Sequence, residues 1–98
     1  MVTITIKHLT PRCLNNNDGH IVFDEILRHL KKMEPIEVSF EGVYSTTSSF
    51  VNSAFIELLE HCDFERIKSL VRITHSNSFI NELIKQRFKS AQQATLAN

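Results

Sequence analysis

The chain has 98 residues, 42% of them hydrophobic, and its eleven Lys and Arg balance eleven Asp and Glu. That length fits one domain, 1–98, apolar enough for a core and too weakly charged for disorder. A zero formal charge argues against a general nucleic-acid binder, which needs a basic excess to displace counterions.

Val2, Ile4 and Ile6 alternate with Thr3, Thr5 and Lys7, which predicts a half-buried strand over residues 2–7. The segment from His8 to Asn17, with Pro11 and three consecutive Asn, reads as loop, so residues 1–17 form an N-terminal strand and loop. Within it, Arg12 to Leu14 offers a short paired strand. Asp18 or Asn17 suits the cap of a helix on which Phe23, Ile26, Leu27, Leu30 and Met33 recur at helical spacing, ending before Pro35. Ile36, Val38 and Phe40 alternate with Glu37, Ser39 and Glu41 in a second strand. Gly42 follows in a turn, then the hydroxyl run Ser45-Thr46-Thr47-Ser48-Ser49.

Val51, Ala54, Phe55, Leu58, Leu59 and Cys62 mark a second helix. A connection over residues 63–66 leads to a third strand, Ile67 to Thr74, in which Leu70 breaks the alternation. Ser76, Asn77 or Ser78 caps a third helix with Ile80, Leu83, Ile84, Phe88 and Ala91 inward, and residues 94–98 are expected to fray. The order β-α-β-α-β-α predicts an α/β fold with a mainly parallel or mixed sheet and right-handed crossovers. Strands covered on both faces read as continuous apolar runs, whereas each of these keeps a polar side. The expected architecture is therefore two-layered, with the helices on one face. The other face, carrying Thr3, Thr5, Glu37, Ser39, Lys68 and Arg72, would be open or serve homo-oligomerisation.

Charge is segregated. Residues 34–65 hold seven acids and no Lys or Arg, while residues 66–98 hold six bases and one acid, Glu82. Either neighbouring elements pair across the fold, or the two segments each steer a partner. The basic third helix, with Lys85, Arg87 and Lys89, reads as a solvated face rather than a nucleic-acid helix.

Chemistry-bearing motifs are few. Gly19 and Gly42 stand alone, so neither a dinucleotide fingerprint nor a P-loop is present. The five histidines, His8, His20, His29, His61 and His75, show no metal-ligand spacing, and there is no C-x-x-C pair, so neither metal nor cofactor is expected. Cys13 and Cys62 are too few for a disulfide scaffold and suit a reducing cytosol; Cys62 fits a core thiol, and Cys13 is the more exposed. No segment approaches the ~20 apolar residues of a membrane span and no signal peptide is evident, so a cytoplasmic protein is expected.

The hydroxyl run carries the most information. A strand, a Gly turn and then Ser and Thr leading into a helix place hydroxyls and backbone N–H groups at a positive helix end. One of Thr47, Ser48 or Ser49 then caps the helix, or the junction holds an anion or a phosphorylated serine. In a parallel sheet the ends of strands two and three lie together, which makes Ser49 and His75 candidate contacts for an anion or a small substrate.

Val38-Ser39-Phe40-Glu41-Gly42-Val43, followed by Ser48-Ser49-Phe50-Val51-Asn52, resembles the STAS-like domains of unknown function. That family shows a strand ending in Asp-Phe-x-Gly-Val, then a Ser/Thr-rich turn and a helix opening with Ser-Phe-Ala-Asp. The likeness covers residues 18 to 88 loosely and 38 to 55 best. More distantly the segment is similar to the STAS domains of anti-sigma factor antagonists, whose Asp-Ser-Ser-Gly motif carries a phosphorylated serine. Thr47-Ser48-Ser49-Phe50 falls on that motif, so the resemblance puts Ser49 at the phosphoserine position with Ser48 beside it. Thr47 and Phe50 replace the motif's Asp and Gly, while Ser39 and Asn52 replace the family's strand and helix Asp. The resemblance implies a regulatory protein-interaction module, matched with a histidine-kinase-like ATPase, and not an enzyme. The expected contact surface is Ser45, Thr46 and Thr47 with the outer side of the second helix, Asn52, Ser53, Glu57 and Glu60.

Overall fold

The computed structural model describes residues 2–12 and 15–96. Strands β1 (Val2–Thr5), β2 (Ile36–Ser39) and β3 (Val71–Thr74) form one parallel sheet in the order β1-β2-β3. The register aligns Val2, Ile36 and Val71, and likewise Ile4, Val38 and Ile73. Side chains two apart share a face, so these six make the apolar side. Thr3, Glu37 and Arg72, with Thr5, Ser39 and Thr74, make the polar one.

Helices α1 (Ile6–Leu9) and α2 (Asn16–Leu30) join β1 to β2. Helix α3 (Ser48–Ala54), a 3-10 helix (Ile56–Glu60) and α4 (Phe64–Leu70) join β2 to β3, and α5 (Ser78–Leu96) follows. Both crossovers step the same way across the sheet, so right-handed connections lay the helices on one face. The two-layer α/β arrangement expected from the half-polar strands is the one the chain adopts. Its core holds Phe40, Phe50 and Phe55 together with Ile6, Ile26, Leu30 and Leu58, all essentially without exposed surface. Each such side chain stabilises the fold by roughly 1.5–3 kcal/mol relative to exposure.

Several boundaries differ from the predicted ones. β1 ends at Thr5 because Ile6 begins a single helical turn, closed by Thr10 N–H on the Ile6 carbonyl (2.9 Å). Ile6 is fully buried in this turn, as the strand alternation also requires of it, so alternation alone could not reveal the switch. Arg12 lies in no strand, and the rest of the expected short strand, Cys13 and Leu14, falls outside the described residues.

The cap of α2 is Asn15, not Asp18 or Asn17. Asn15 Oδ1 accepts from Asp18 N–H (2.9 Å), and Asp18 Oδ2 accepts from Asn15 N–H (3.4 Å), a reciprocal capping box. The buried stripe of α2 is also rotated. Gly19, Val22, Ile26, His29 and Leu30 face inward, Phe23 and Leu27 are half-buried, and Met33 is exposed beyond the helix end. Gly19 is the cause. A Cβ there would stand 2.6 Å from Ser53 Cβ and 2.8 Å from the Phe50 carbonyl oxygen, so its absence lets α2 lie directly on α3.

The chain leaves α2 through Met33 at φ +58°, while Glu34 N–H donates to the His29 carbonyl (3.1 Å). This is the left-handed residue and back-reaching bond of a Schellman-type helix end. His29, almost buried, donates from Nδ1 to Glu34 Oε1 (2.8 Å), and its Nε2 lies 3.4 Å from Glu25 Oε1. The bond from His29 holds the Glu34 carboxyl below its ordinary range. Glu25 is lowered first by the hydrogen bond from Arg28 and further by His29, against a smaller opposing effect of burial.

The predicted second helix is broken at Phe55, whose φ of −120° ends α3 before the 3-10 turn. There the Phe55 ring stacks on Phe40, with centroids 6.1 Å apart. The predicted third strand is too long, because residues 64–70 are α4, capped by Asp63 Oδ1 on Arg66 N–H (2.8 Å). Phe64, Ile67 and Leu70 recur at intervals of three, and Phe64 meets the Phe88 ring of α5 at 5.3 Å. Leu70, which breaks the strand alternation, is thus the last residue of a helix. Lys68 consequently sits on α4 and not on the open sheet face. Helix α5 runs to Leu96, and Ala97 and Asn98 lie outside the described residues.

Candidate functional site

β2 and β3 end side by side, and two loops rise from that edge. After β2, Phe40 N–H donates to the Thr74 carbonyl (2.9 Å), and Val43 N–H closes a turn on the Phe40 carbonyl (2.8 Å). Gly42 takes φ +81° in this turn, which glycine adopts without a Cβ penalty. Lys7 Nζ, from α1, donates to the Gly42 carbonyl at 3.1 Å.

The hydroxyl run then divides by role. Thr46 is buried, whereas Ser45, Ser48 and Ser49 are exposed. Thr47 caps α3: its Oγ1 accepts from Phe50 N–H (3.2 Å), and its carbonyl accepts from Val51 N–H (3.1 Å). The capping alternative therefore belongs to Thr47, leaving the hydroxyls of Ser48 and Ser49 at the surface.

The second loop starts at His75, in the left-handed region at φ +53°. Its Nδ1 lies 3.2 Å from Ser39 Oγ and 3.3 Å from Thr74 Oγ1. Thr74 donates to Glu37 Oε2 (2.8 Å), and Ser39 Oγ accepts from Glu41 N–H (3.2 Å). His75 is thus engaged with the polar sheet face, and no hydrogen bond joins it to Ser49. Asn77 couples the two loops. Its Oδ1 caps α5 by accepting from Ile80 N–H (2.9 Å), and its Nδ2 donates to the Tyr44 carbonyl (2.9 Å).

That clamp presents a residue the sequence reading overlooked. Tyr44 is 81% exposed, although it stands in a short, hydrogen-bonded loop. Phe79, two residues beyond Asn77, is 55% exposed. With Ser78, Glu82, Leu83 and Gln86 it lines a groove of about 350 Å³ on the first turns of α5. The available signal was that Phe79 falls beside the inward stripe Ile80, Ile84 and Phe88, and is therefore an aromatic outside the core.

Three predicted contact residues do not lie on an outer surface. Thr46 is buried, and Ser53, only 4% exposed, donates from Oγ to Asn16 Oδ1 (3.1 Å) beneath α2. Asn52, half-buried, accepts from Arg87 Nε (2.9 Å) and so ties α3 to α5. A seven-residue helix gripped by α2 on one side and α5 on the other keeps little free face. Glu57 accepts from His20 Nε2 (3.2 Å), and Glu60 is exposed.

Among the described residues, no ion pair joins an acid of segment 34–65 to a base of segment 66–98; the acids that are paired meet His20 and His29. The alternative in which the two segments pair with each other is therefore not found among the described residues. Cys62 is buried in the core, as its place on the apolar stripe suggests, and Cys13 lies outside the described residues. No described helix is long and apolar enough to cross a membrane.

A parallel three-stranded α/β layer whose central strand passes through a glycine turn and a hydroxyl-rich loop into a helix has the STAS-like arrangement. The chain belongs to the family described as STAS-like domain of unknown function (DUF4325), whose model matches residues 18–81. The match runs from the first turn of α2 to the first turn of α5. It includes the loop-bearing corner and leaves out β1. Neither a search of curated proteins nor a search of solved structures returned a match.

Proposed function

We propose that this domain is a regulatory protein-interaction module that docks its partner at the corner formed by Tyr44, Ser45, Ser48, Ser49 and Phe79. The observation that carries this reading is the exposure of Tyr44, on the loop after β2, and of Phe79, in the first turn of α5, on two segments joined by the bond from Asn77 to the Tyr44 carbonyl. Aromatic side chains supply large contact areas at little entropic cost and dominate protein interfaces when held rigidly. Glu41 and Glu60, exposed acids of the same acid-rich segment 34–65, favour a partner with a basic docking surface. The partner class is a histidine-kinase-like ATPase, the one that the STAS-like resemblance implies.

Ser49 is the switch position in this proposal. It is exposed, and its hydroxyl is not spent on capping, because Thr47 performs that task. A phosphate there adds roughly −1.5 to −2 charges beside the aromatic contacts, so a docked partner is desolvated against new charge and released. The fold itself is left intact.

Affinity capture with wild type, Tyr44→Ala and Ser49→Asp tests the reading. Wild type is expected to retain an ATPase of the histidine-kinase-like type, and both variants to lose it while keeping the wild-type circular dichroism spectrum. Equal retention by all three would remove the docking corner, and loss by Tyr44→Ala alone would remove the switch.

A further inference from the structure

Two non-glycine residues among those described take a positive φ, Met33 and His75. Met33 closes the end of α2. His75 ends no helix: at φ +53° it stands between β3 and α5, and an L-residue enters the left-handed region only at a cost. Glycine would make the same turn without that cost, so the turn alone does not account for an imidazole here.

The ring has a fixed partner. Thr74 gives its hydroxyl proton to Glu37 Oε2 (2.8 Å), and Ser39 Oγ already accepts from Glu41 N–H (3.2 Å). The Ser39 proton is therefore the one that reaches His75 Nδ1, at 3.2 Å, with the hydroxyl donating and the ring accepting. Ser39 is only 2% exposed, so water does not replace the ring, and without it a buried donor is left unpaired. Three bonds then join the two strand exits in succession. Phe40 N–H meets the Thr74 carbonyl, Ser39 Oγ meets His75, and Asn77 Nδ2 meets the carbonyl of the exposed Tyr44. The first continues the sheet. The last depends on the direction in which residues 76 and 77 leave the strand, which the φ of His75 sets.

We infer that His75 is the positioning residue of the docking corner: its ring, anchored on Ser39, holds the left-handed turn that brings Asn77 to the Tyr44 carbonyl. A loop set in advance spares a partner the cost of ordering it on binding. The inference extends the docking reading, but this latch is measurable with no partner present, so either can fail alone.

Backbone amide NMR relaxation at Tyr44, Ser45 and Asn77 reads the latch. Wild type is expected to show order parameters of about 0.85 there, the rigid-backbone value. His75→Gly keeps the turn and removes the ring, and His75→Ala removes the ring without adding a glycine's freedom. Both are expected to fall toward about 0.6 at these amides while α2 and α5 stay rigid. His75→Asn is expected to retain the wild-type values, since asparagine tolerates positive φ and carries an acceptor oxygen close to the place of Nδ1. Position 75 is exposed, so all three variants leave the core intact. Unchanged values in His75→Gly overturn the inference, as does a His75→Asn variant as loose as His75→Ala, or a wild type already mobile at Tyr44. In affinity capture, a loosened His75→Gly that retains the partner as fully as wild type leaves the latch standing and removes the docking reading.

Discussion

Replacing Gly19 by alanine presses directly on the contact between α2 and α3. The added methyl carbon would stand 2.6 Å from Ser53 Cβ, 2.8 Å from the Phe50 carbonyl oxygen and 3.1 Å from the Ala54 nitrogen. Carbon atoms pack favourably at about 3.5–4.0 Å, so the two helices must separate by close to an ångström. Two of the three opposing atoms are backbone, and no rotamer change relieves them. Overpacking of this kind destabilises by about 1–3 kcal/mol, while alanine in place of glycine returns about 1 kcal/mol of helix propensity. With backbone on the opposing side the packing loss lies in the upper part of its range, leaving a net destabilisation of roughly 1–2 kcal/mol. In a domain of this size that lowers Tm by roughly 5–15 °C. Thermal unfolding followed by circular dichroism measures it, with Ser53→Gly in the same background expected to recover part of the loss. An unchanged or higher Tm for Gly19→Ala would show that propensity outweighs packing, and that Gly19 does not set the spacing of α2 and α3.

Two further outcomes test other parts of the fold. Met33→Gly should stabilise by about 0.5–1 kcal/mol in urea unfolding, because an exposed L-residue at φ +58° gives way to one without a Cβ; a loss of stability would refute the helix-end assignment. Glu34, lowered from 4.5 by its hydrogen bond from His29, stabilises fully above that value, and the contribution disappears as pH falls through the lower folded-state pKa. The Tm difference between wild type and Glu34→Gln should therefore close as pH drops below about 4.5, and a difference that widens there would contradict the pairing.

Strand identity was legible because β1, β2 and the true β3 each alternate apolar and polar residues, and their half-polar character alone places the helices on a single face. The hydroxyl junction was legible from Gly42 and the run after it. Which hydroxyl caps α3, which is buried and which reaches solvent was not, since all five residues share the same local chemistry; contacts with the core made that division, sending Thr46 inward and giving Thr47 the Phe50 N–H. The misreading of residues 67–70 has the same origin: apolar residues three apart satisfy a short strand with one error as readily as two turns of helix. Only the packing of Phe64 against Phe88 and the Asp63 cap distinguish them.

Periodicity and turn chemistry are properties of neighbours along the chain, and they determined the α/β class, the one-sided sheet and the place of the candidate corner. The rotated stripe of α2, the loss of Asn52 and Ser53 from the surface and the exposure of Tyr44 were decided by the tertiary structure. Each depends on which distant segment approaches, and how closely. A missing Cβ at Gly19 or a side-chain clamp from Asn77 fixes that approach through contacts 31 to 35 residues apart in sequence, beyond the reach of any local pattern.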